Sequence, residues 1–283
     1  MPLKWPGGKG VAKTMRRILD FRPQHFSEFR EPFCGNAPSI SCTDVLPRHM
    51  PRWLSDLDGD LMNFYHALCD DVDAFIEKWC ALRERCFTVQ RTLDIFEEQK
   101  HRFLEGDPVA FLFLHRVAYN GIVSRRRRNI ASYSLKRIRE VHTLKIAKLR
   151  HKSELLQGVR LTNLDYREVL AEPPRGPGPT LIFNDPPYLV VNQESPFYQH
   201  NFDEADLSAF KEMVLGLDPD QFKVLITLGE TEFTHEHFAL DDRFRVRYRH
   251  YTSNTSYSKE RKAAEGESSG GCRRTRELIL TTY

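Results

Sequence analysis

The chain has 283 residues, 40% of them hydrophobic and 29% charged, with a net charge of +3. That length and balance suit a soluble globular protein with room for one large domain or two small ones. No apolar run approaches the length of a bilayer span, and Met1-Pro2-Leu3-Lys4-Trp5 has no apolar export signal, so a cytoplasmic protein without a membrane partner is expected.

In chain order, Gly7-Gly8-Lys9-Gly10 precedes a helical stretch through Leu19, and His25 to Glu31 and Arg52 to Asp56 read as extended segments. From there to Gly158 the character is helical. Leu57, Leu61, Phe64 and Leu68, then Val72, Phe75, Trp79 and Leu82, recur at three- and four-residue spacings, with Asp71 placed to cap the second run. Asp107-Pro108 is an N-cap with proline at the first helical position, opening a helix over Val109–Tyr119 that should stop at Asn120-Gly121. A last helix is expected from about Lys136 to Leu156. After Gly158 strands return at Val159–Thr162, Thr180–Asn184, Phe222–Leu228, Phe244–Tyr251 and Glu277–Thr282, with Asp203 capping a helix through Val214. Strands alternating with helices predict a mainly parallel, three-layer α/β sheet. Residues 1–56 and 159–283 would form it, with 57–158 inserted as a mostly helical domain. Ser253 to Arg273 is polar and glycine-rich and predicts a loop.

Charge is strongly segregated. Between Arg116 and Lys152 stand twelve Lys/Arg and one acid, Glu140, a local +11, while the remainder nets −8. A basic face of this kind fits a polyanion, and nucleic acid is the ordinary one. The six cysteines form no C-x-x-C pair and stand at no zinc spacing, so reduced, packed thiols and no metal are expected. His115, His142 and His151 likewise lack ligand spacing.

Two strand ends carry the chemistry. Glu31-Pro32-Phe33-Cys34-Gly35-Asn36-Ala37 lies where a strand should give way to a helix, and Asp56 ends the next strand. In a doubly wound sheet a glycine there lets the backbone approach a ligand, and the acid accepts from ribose hydroxyls. Asn36 and Ala37 stand where richer loops have glycine. The second strand end is Asn184-Asp185-Pro186-Pro187-Tyr188, which offers an acceptor, two rigid prolines and an aromatic face together. An amino group is the natural guest.

In that order, Lys4-Trp5-Pro6-Gly7-Gly8-Lys9, Glu31 to Gly35, Leu54-Ser55-Asp56-Leu57, Tyr119-Asn120-Gly121, Asn184 to Tyr188 and the closing Arg276 to Tyr283 resemble the Dam-type, alpha-class DNA adenine methyltransferases. The resemblance spans most of the chain. It implies a Rossmann-like methyltransferase sheet with a helical target-recognition insert, S-adenosylmethionine as methyl donor and double-stranded DNA as substrate, acted on by a monomer or weak dimer. Trp5, Lys9, Phe33, Gly35, Asp56, Asp165 and Asp185 would surround the donor. Asp165 serves equally as an N-cap for the segment after it. Asp185, Pro186 and Tyr188 would hold a flipped adenine by its exocyclic amine. In the insert, Arg116, Asn120, Arg125, Arg126, Arg127, Arg128, Lys136, Arg137 and Arg139 would meet DNA, arginines and lysines on phosphates and Asn120 on a base edge. Methylation of RNA or of the cytosine amine, and a catalytically silent DNA-binding relative, are the alternatives.

If the Arg125–Arg128 run neutralises phosphates, replacing all four by alanine weakens duplex binding on every sequence. The log-affinity against log-salt slope then becomes shallower by about 0.9 for each phosphate left without its arginine. Binding to a cognate and a scrambled duplex over a salt series checks this, and unchanged affinity and slope would mean that the run is a solvated surface.

Overall fold

The computed structural model describes residues 3, 5, 12–87, 92–123, 131–133, 141–189, 202–252 and 274–283. A seven-stranded sheet organises them. Its strands are β1 (Glu28–Glu31), β2 (Arg52–Ser55), β5 (Arg160–Thr162), β6 (Thr180–Asn184), β7 (Phe222–Gly229), β8 (Arg245–Thr252) and β9 (Arg274–Thr281), ordered β5-β2-β1-β6-β7-β9-β8. The pairs from β5 through β7 are parallel, while β9 runs antiparallel to both β7 and β8. The mainly parallel α/β sheet expected from the sequence is therefore present, with one reversed strand.

Side-chain alternation builds the layers. Leu181, Phe183, Leu225 and Ile279 face one core, shared with α1 (Ala12–Leu19), α2 (Gly59–Asp70), α3 (Val72–Phe87), α4 (Thr92–Leu104), α5 (Pro108–Val117) and α6 (Ile146–Leu156). Their neighbours Ile182, Val224, Ile226, Leu278 and Leu280 face the other, shared with α7 (Tyr166–Ala171) and α8 (Glu204–Leu215). This period of two, with both faces covered, is what a mostly parallel sheet requires. Predicted caps form as well. Asp107 accepts from the Val109 and Ala110 N–H groups, Asp71 from Ala74 and Asp203 from Asp206. Cys34, Cys42, Cys69, Cys80 and Cys86 are free thiols, and burial pushes those of Cys42, Cys69 and Cys86 up to about 11.

Two expectations change. The helix over Val109–Tyr119 ends at Val117, and Ala118–Val123 continues as β3, paired antiparallel with β4 (Ala131–Tyr133). Tyr119-Asn120-Gly121 thus lies on a strand, with Gly121 at φ +70° where the pairing register shifts. Helix α5 is buried all round, so its sequence has no polar stripe whose loss would mark the helix end. The expected last helix is interrupted: residues 141–143 are helical, Leu144-Lys145 break the helix, and it resumes at Ile146.

A buried ion pair fastens the sheet to its second layer. Arg30, fully buried on β1, donates Nε and Nη2 to the two Glu28 carboxylate oxygens at 3.0 Å each. Its remaining donors reach the carbonyls of Val169, Glu172 and Pro173. Burial pushes the Glu28 carboxyl up, but hydrogen bonds from Arg30 and from the Arg175 N–H more than reverse this and leave it low. Arg30→Ala leaves the buried Glu28 carboxylate without its counter-charge, held by the Arg175 N–H and the Thr180 hydroxyl, and takes the guanidinium from three carbonyls. Unfolding in urea should show a loss of about 3–5 kcal/mol, and a loss below about 1 kcal/mol would mean that water replaces the guanidinium.

Candidate active site

The chain steps from β1 outward through β2 and β5, then returns to place β6 on the other side of β1. Strand order reverses between β1 and β6, which is where open α/β sheets bind ligands at their carboxyl ends. Both chemically marked segments of the sequence end strands there.

After β1, Asp56 fixes the turn. Its Oδ2 accepts from the Gly35 N–H at 2.8 Å and its Oδ1 from the Asp58 N–H at 3.0 Å, while Asn163 Nδ2 holds its carbonyl at 2.8 Å. Burial raises the Asp56 carboxyl despite these two backbone donors. Gly35 sits at φ +44°, and a Cβ there would stand 2.9 Å from Trp5 Nε1. Only glycine meets both conditions without strain. Trp5 in turn stacks on the buried His115, ring centroids 5.3 Å apart. Phe33 turns the other way, stacking on Tyr166 at 5.2 Å and meeting Phe202 and Phe210 edge-on.

After β6, Thr227 on β7 donates to Asp185 Oδ1 at 2.7 Å, and Pro186 is buried. The Tyr188 ring lies against Gly229, where a Cβ would approach Cδ2 to 2.9 Å, and its hydroxyl donates to Glu277 Oε1. Arg249 Nε holds the other oxygen of this buried carboxylate at 2.7 Å. Both segments thus present fixed polar groups at neighbouring strand ends, on opposite sides of the reversal.

Residues 5–260 match the family described as D12 class N6 adenine-specific DNA methyltransferase. The chain belongs to this family. It is similar to the DNA adenine methylase of Haemophilus influenzae, 24% identical over 248 residues, which cover 83% of this chain and 81% of that protein. Two Vibrio cholerae proteins of the same name are 26% identical over 208 residues, 69% of this chain and 67% of theirs. The family makes this chain an enzyme that acts on DNA adenine and uses a methyl donor.

Trp5, Phe33, Gly35, Asp56 and Asp185 of the methyltransferase thus lie on or beside the ends of β1, β2 and β6. Asp165 stands after β5, where it caps α7 in a capping box with Glu168 and pairs with Arg167. Arg116 differs from the expectation of a solvent-facing phosphate contact. It closes the all-buried α5, is 8% exposed and donates Nη2 to Thr143 Oγ1 at 2.9 Å. Lys9, Arg125, Arg126, Arg127, Arg128, Lys136, Arg137 and Arg139, the Asn120 side chain and the 253–273 stretch lie outside the described residues. Among the described residues no group of three or more His, Cys, Asp or Glu is arranged to hold a metal ion, and no helix is long and apolar enough to cross a membrane.

Tyr65, Lys152, Thr227, Arg249 and Glu277 also bear on the site and carry no local sequence signal, because each acts through a partner distant in the chain, while Glu31 stands in the marked segment without its state being readable there. The buried Glu31 accepts from Ser39 Oγ, and burial pushes its carboxyl from 4.5 up to about 8, against the opposing Ser39 hydrogen bond and Lys152 charge. A raised folded-state value means that the fold keeps a proton which the unfolded chain releases. That contribution to stability is complete below about pH 4.5 and is lost as pH rises toward about 8. Glu31→Gln keeps the shape without the charge, so its melting temperature should gain on the wild type between about pH 5 and pH 8. Parallel curves would mean that Glu31 is ionised in the fold.

Proposed function

We propose that the enzyme transfers a methyl group from S-adenosylmethionine to the exocyclic amine of an adenine flipped out of duplex DNA. The observation that carries this reading is the placement of two marked segments at strand ends on either side of the β1–β6 reversal, one built round Gly35 and Asp56, the other round Asp185 and Tyr188. The residues present suit the donor. Asp56 has lone pairs left for ribose hydroxyls after taking two backbone N–H groups, and the buried Asn36 Oδ1 meets no donor among the described residues and can accept from a cationic amine. Trp5 over Gly35 closes one wall. Lys9 would complete that closure, and Asp165 would reach the donor's adenine.

When bound, S-adenosylmethionine supplies a methyl group on a sulfonium sulfur, which departs with the carbon–sulfur electron pair. The base is out of reach inside a duplex, so flipping costs a few kcal/mol before chemistry begins. Tyr188, held by Gly229 and Glu277, offers its ring to the extruded base. Asp185, oriented by Thr227, and the Pro186 carbonyl accept the two amine hydrogens, which turns the nitrogen lone pair out of conjugation and along the line of transfer. The nitrogen bonds the methyl carbon and then passes one proton to water. Fixed acceptors meet the positive charge that develops on nitrogen, and the rate gain comes from them together with alignment.

The segment between β2 and β5 would read the target as an inserted domain, with Asn120 on β3, Arg125 to Arg128, Lys136, Arg137 and Arg139 meeting the duplex and Arg116 bracing α5. A monomer or weak dimer suffices for this division of labour.

Transfer of tritiated methyl from labelled S-adenosylmethionine to duplex DNA, to RNA and to buffer alone tests the assignment. Label should enter adenine of duplex DNA, and Asp185→Ala should abolish transfer while leaving fold and duplex affinity intact. Transfer to RNA alone, or transfer by the variant within about tenfold of wild type, would refute the substrate or the catalytic role respectively.

A further inference from the structure

The loop that follows β1 is poor in glycine yet takes up a glycine-like backbone. Gly35 and Ala37 both lie in the left-handed region, at φ +44° and +43°. For Ala37, which is fully buried, that conformation is strained and has to be imposed from outside. The carbonyls identify what imposes it. Those of Gly35, Asn36 and Ala37, three in succession, are each held by a side chain from the helices between β2 and β5. Tyr65 of α2 donates its hydroxyl to Gly35 O at 2.6 Å, and Lys152 of α6 donates Nζ to Asn36 O at 3.0 Å and to Ala37 O at 3.2 Å.

Lys152 is a costly way to fill space. It is 2% exposed, with its ammonium over the Tyr65 ring at 4.8 Å, and it shares helix α6 with the buried Leu149, Leu155 and Leu156. A buried ammonium is retained where its donors are used, and here they grip the carbonyls of the two peptides on either side of the Ala37 Cα. We propose that Lys152 is a positioning residue for the cofactor loop, holding Ala37 in the left-handed conformation that a glycine would adopt unaided. This rests on the reading that the Gly35 loop receives S-adenosylmethionine. Donor affinity is thereby set in part from a helix that the sequence assigns to the target-reading segment.

The test uses the full chain with Lys152→Met, which keeps the volume and removes the donors, and with Ala37→Gly added to it. Calorimetry of S-adenosylmethionine binding, KM and kcat with duplex DNA, and melting temperature are read on the wild type and both variants. Lys152→Met should raise the Kd and KM for the donor about tenfold with kcat changed less than about threefold. Ala37→Gly in that background should recover most of the affinity and of the lost melting temperature, since glycine needs no clamp. An unchanged Kd in Lys152→Met, or an Ala37→Gly addition that recovers neither, overturns the proposal. If Lys152→Met alone does not fold, a folded double variant supports the role and an unfolded one overturns it. A wild type that binds no S-adenosylmethionine sinks the cofactor assignment itself, while the melting temperatures still report whether Lys152 holds the loop.

Discussion

The hydrogen bond from the Gly35 N–H to the Asp56 carboxylate is the constraint on which the active edge depends. It ties the loop after β1 to the end of β2 and so sets the height of the loop above the sheet. Trp5 can then lie over Gly35 and Phe33 can turn into the aromatic cluster around Tyr166. A carboxylate in this position is under-supplied with donors, which is why burial still wins over two backbone N–H groups. Ligand hydroxyls that donate to it would relieve the cost of its burial, so affinity and local strain are two sides of one arrangement.

The second strand end is built on a similar plan with different materials. Proline rings stiffen the backbone, Thr227 orients the acid, and Gly229 leaves room for the Tyr188 ring to lie flat. The partner of the Tyr188 hydroxyl, Glu277, comes from the reversed strand β9 and is itself fixed by Arg249 on β8. The antiparallel end of the sheet therefore contributes to the site as well as closing the fold. The side chains at this strand end are therefore held in place by the fold itself.

Much of this was legible because it is written locally. Thr180–Asn184 is a strand in the sequence and in the structure, and the caps at Asp107 and Asp203 are where their side chains dictate. The β3–β4 pairing was not, since Val109–Val117 is buried throughout, His115 and Arg116 included, and the strand that follows is defined by a partner at Ala131–Tyr133. Lys152 misled for a different reason. In the sequence it is one more charge in a basic run, and only the approach of the Asn36 and Ala37 carbonyls turns it inward. Glu277 and Tyr65 were equally silent, because a side chain whose partner lies 89 or 30 residues away leaves no spacing to read.

The position of β1 in the sheet has a consequence for how the chain is made. One neighbour, β2, is available soon after synthesis, but the other is β6, and Glu28 pairs in register with Thr180. Until residue 184 has left the ribosome, one edge of β1 stays open and the buried Glu28–Arg30 pair lacks the carbonyls of Val169, Glu172 and Pro173 that complete it. Such long-range parallel pairing is slow to form and exposes unpaired backbone while it waits. The nascent chain has meanwhile made α2 to α6, whose short-range contacts can form first, so the helices that hold the Gly35, Asn36 and Ala37 carbonyls are available before the sheet that carries them.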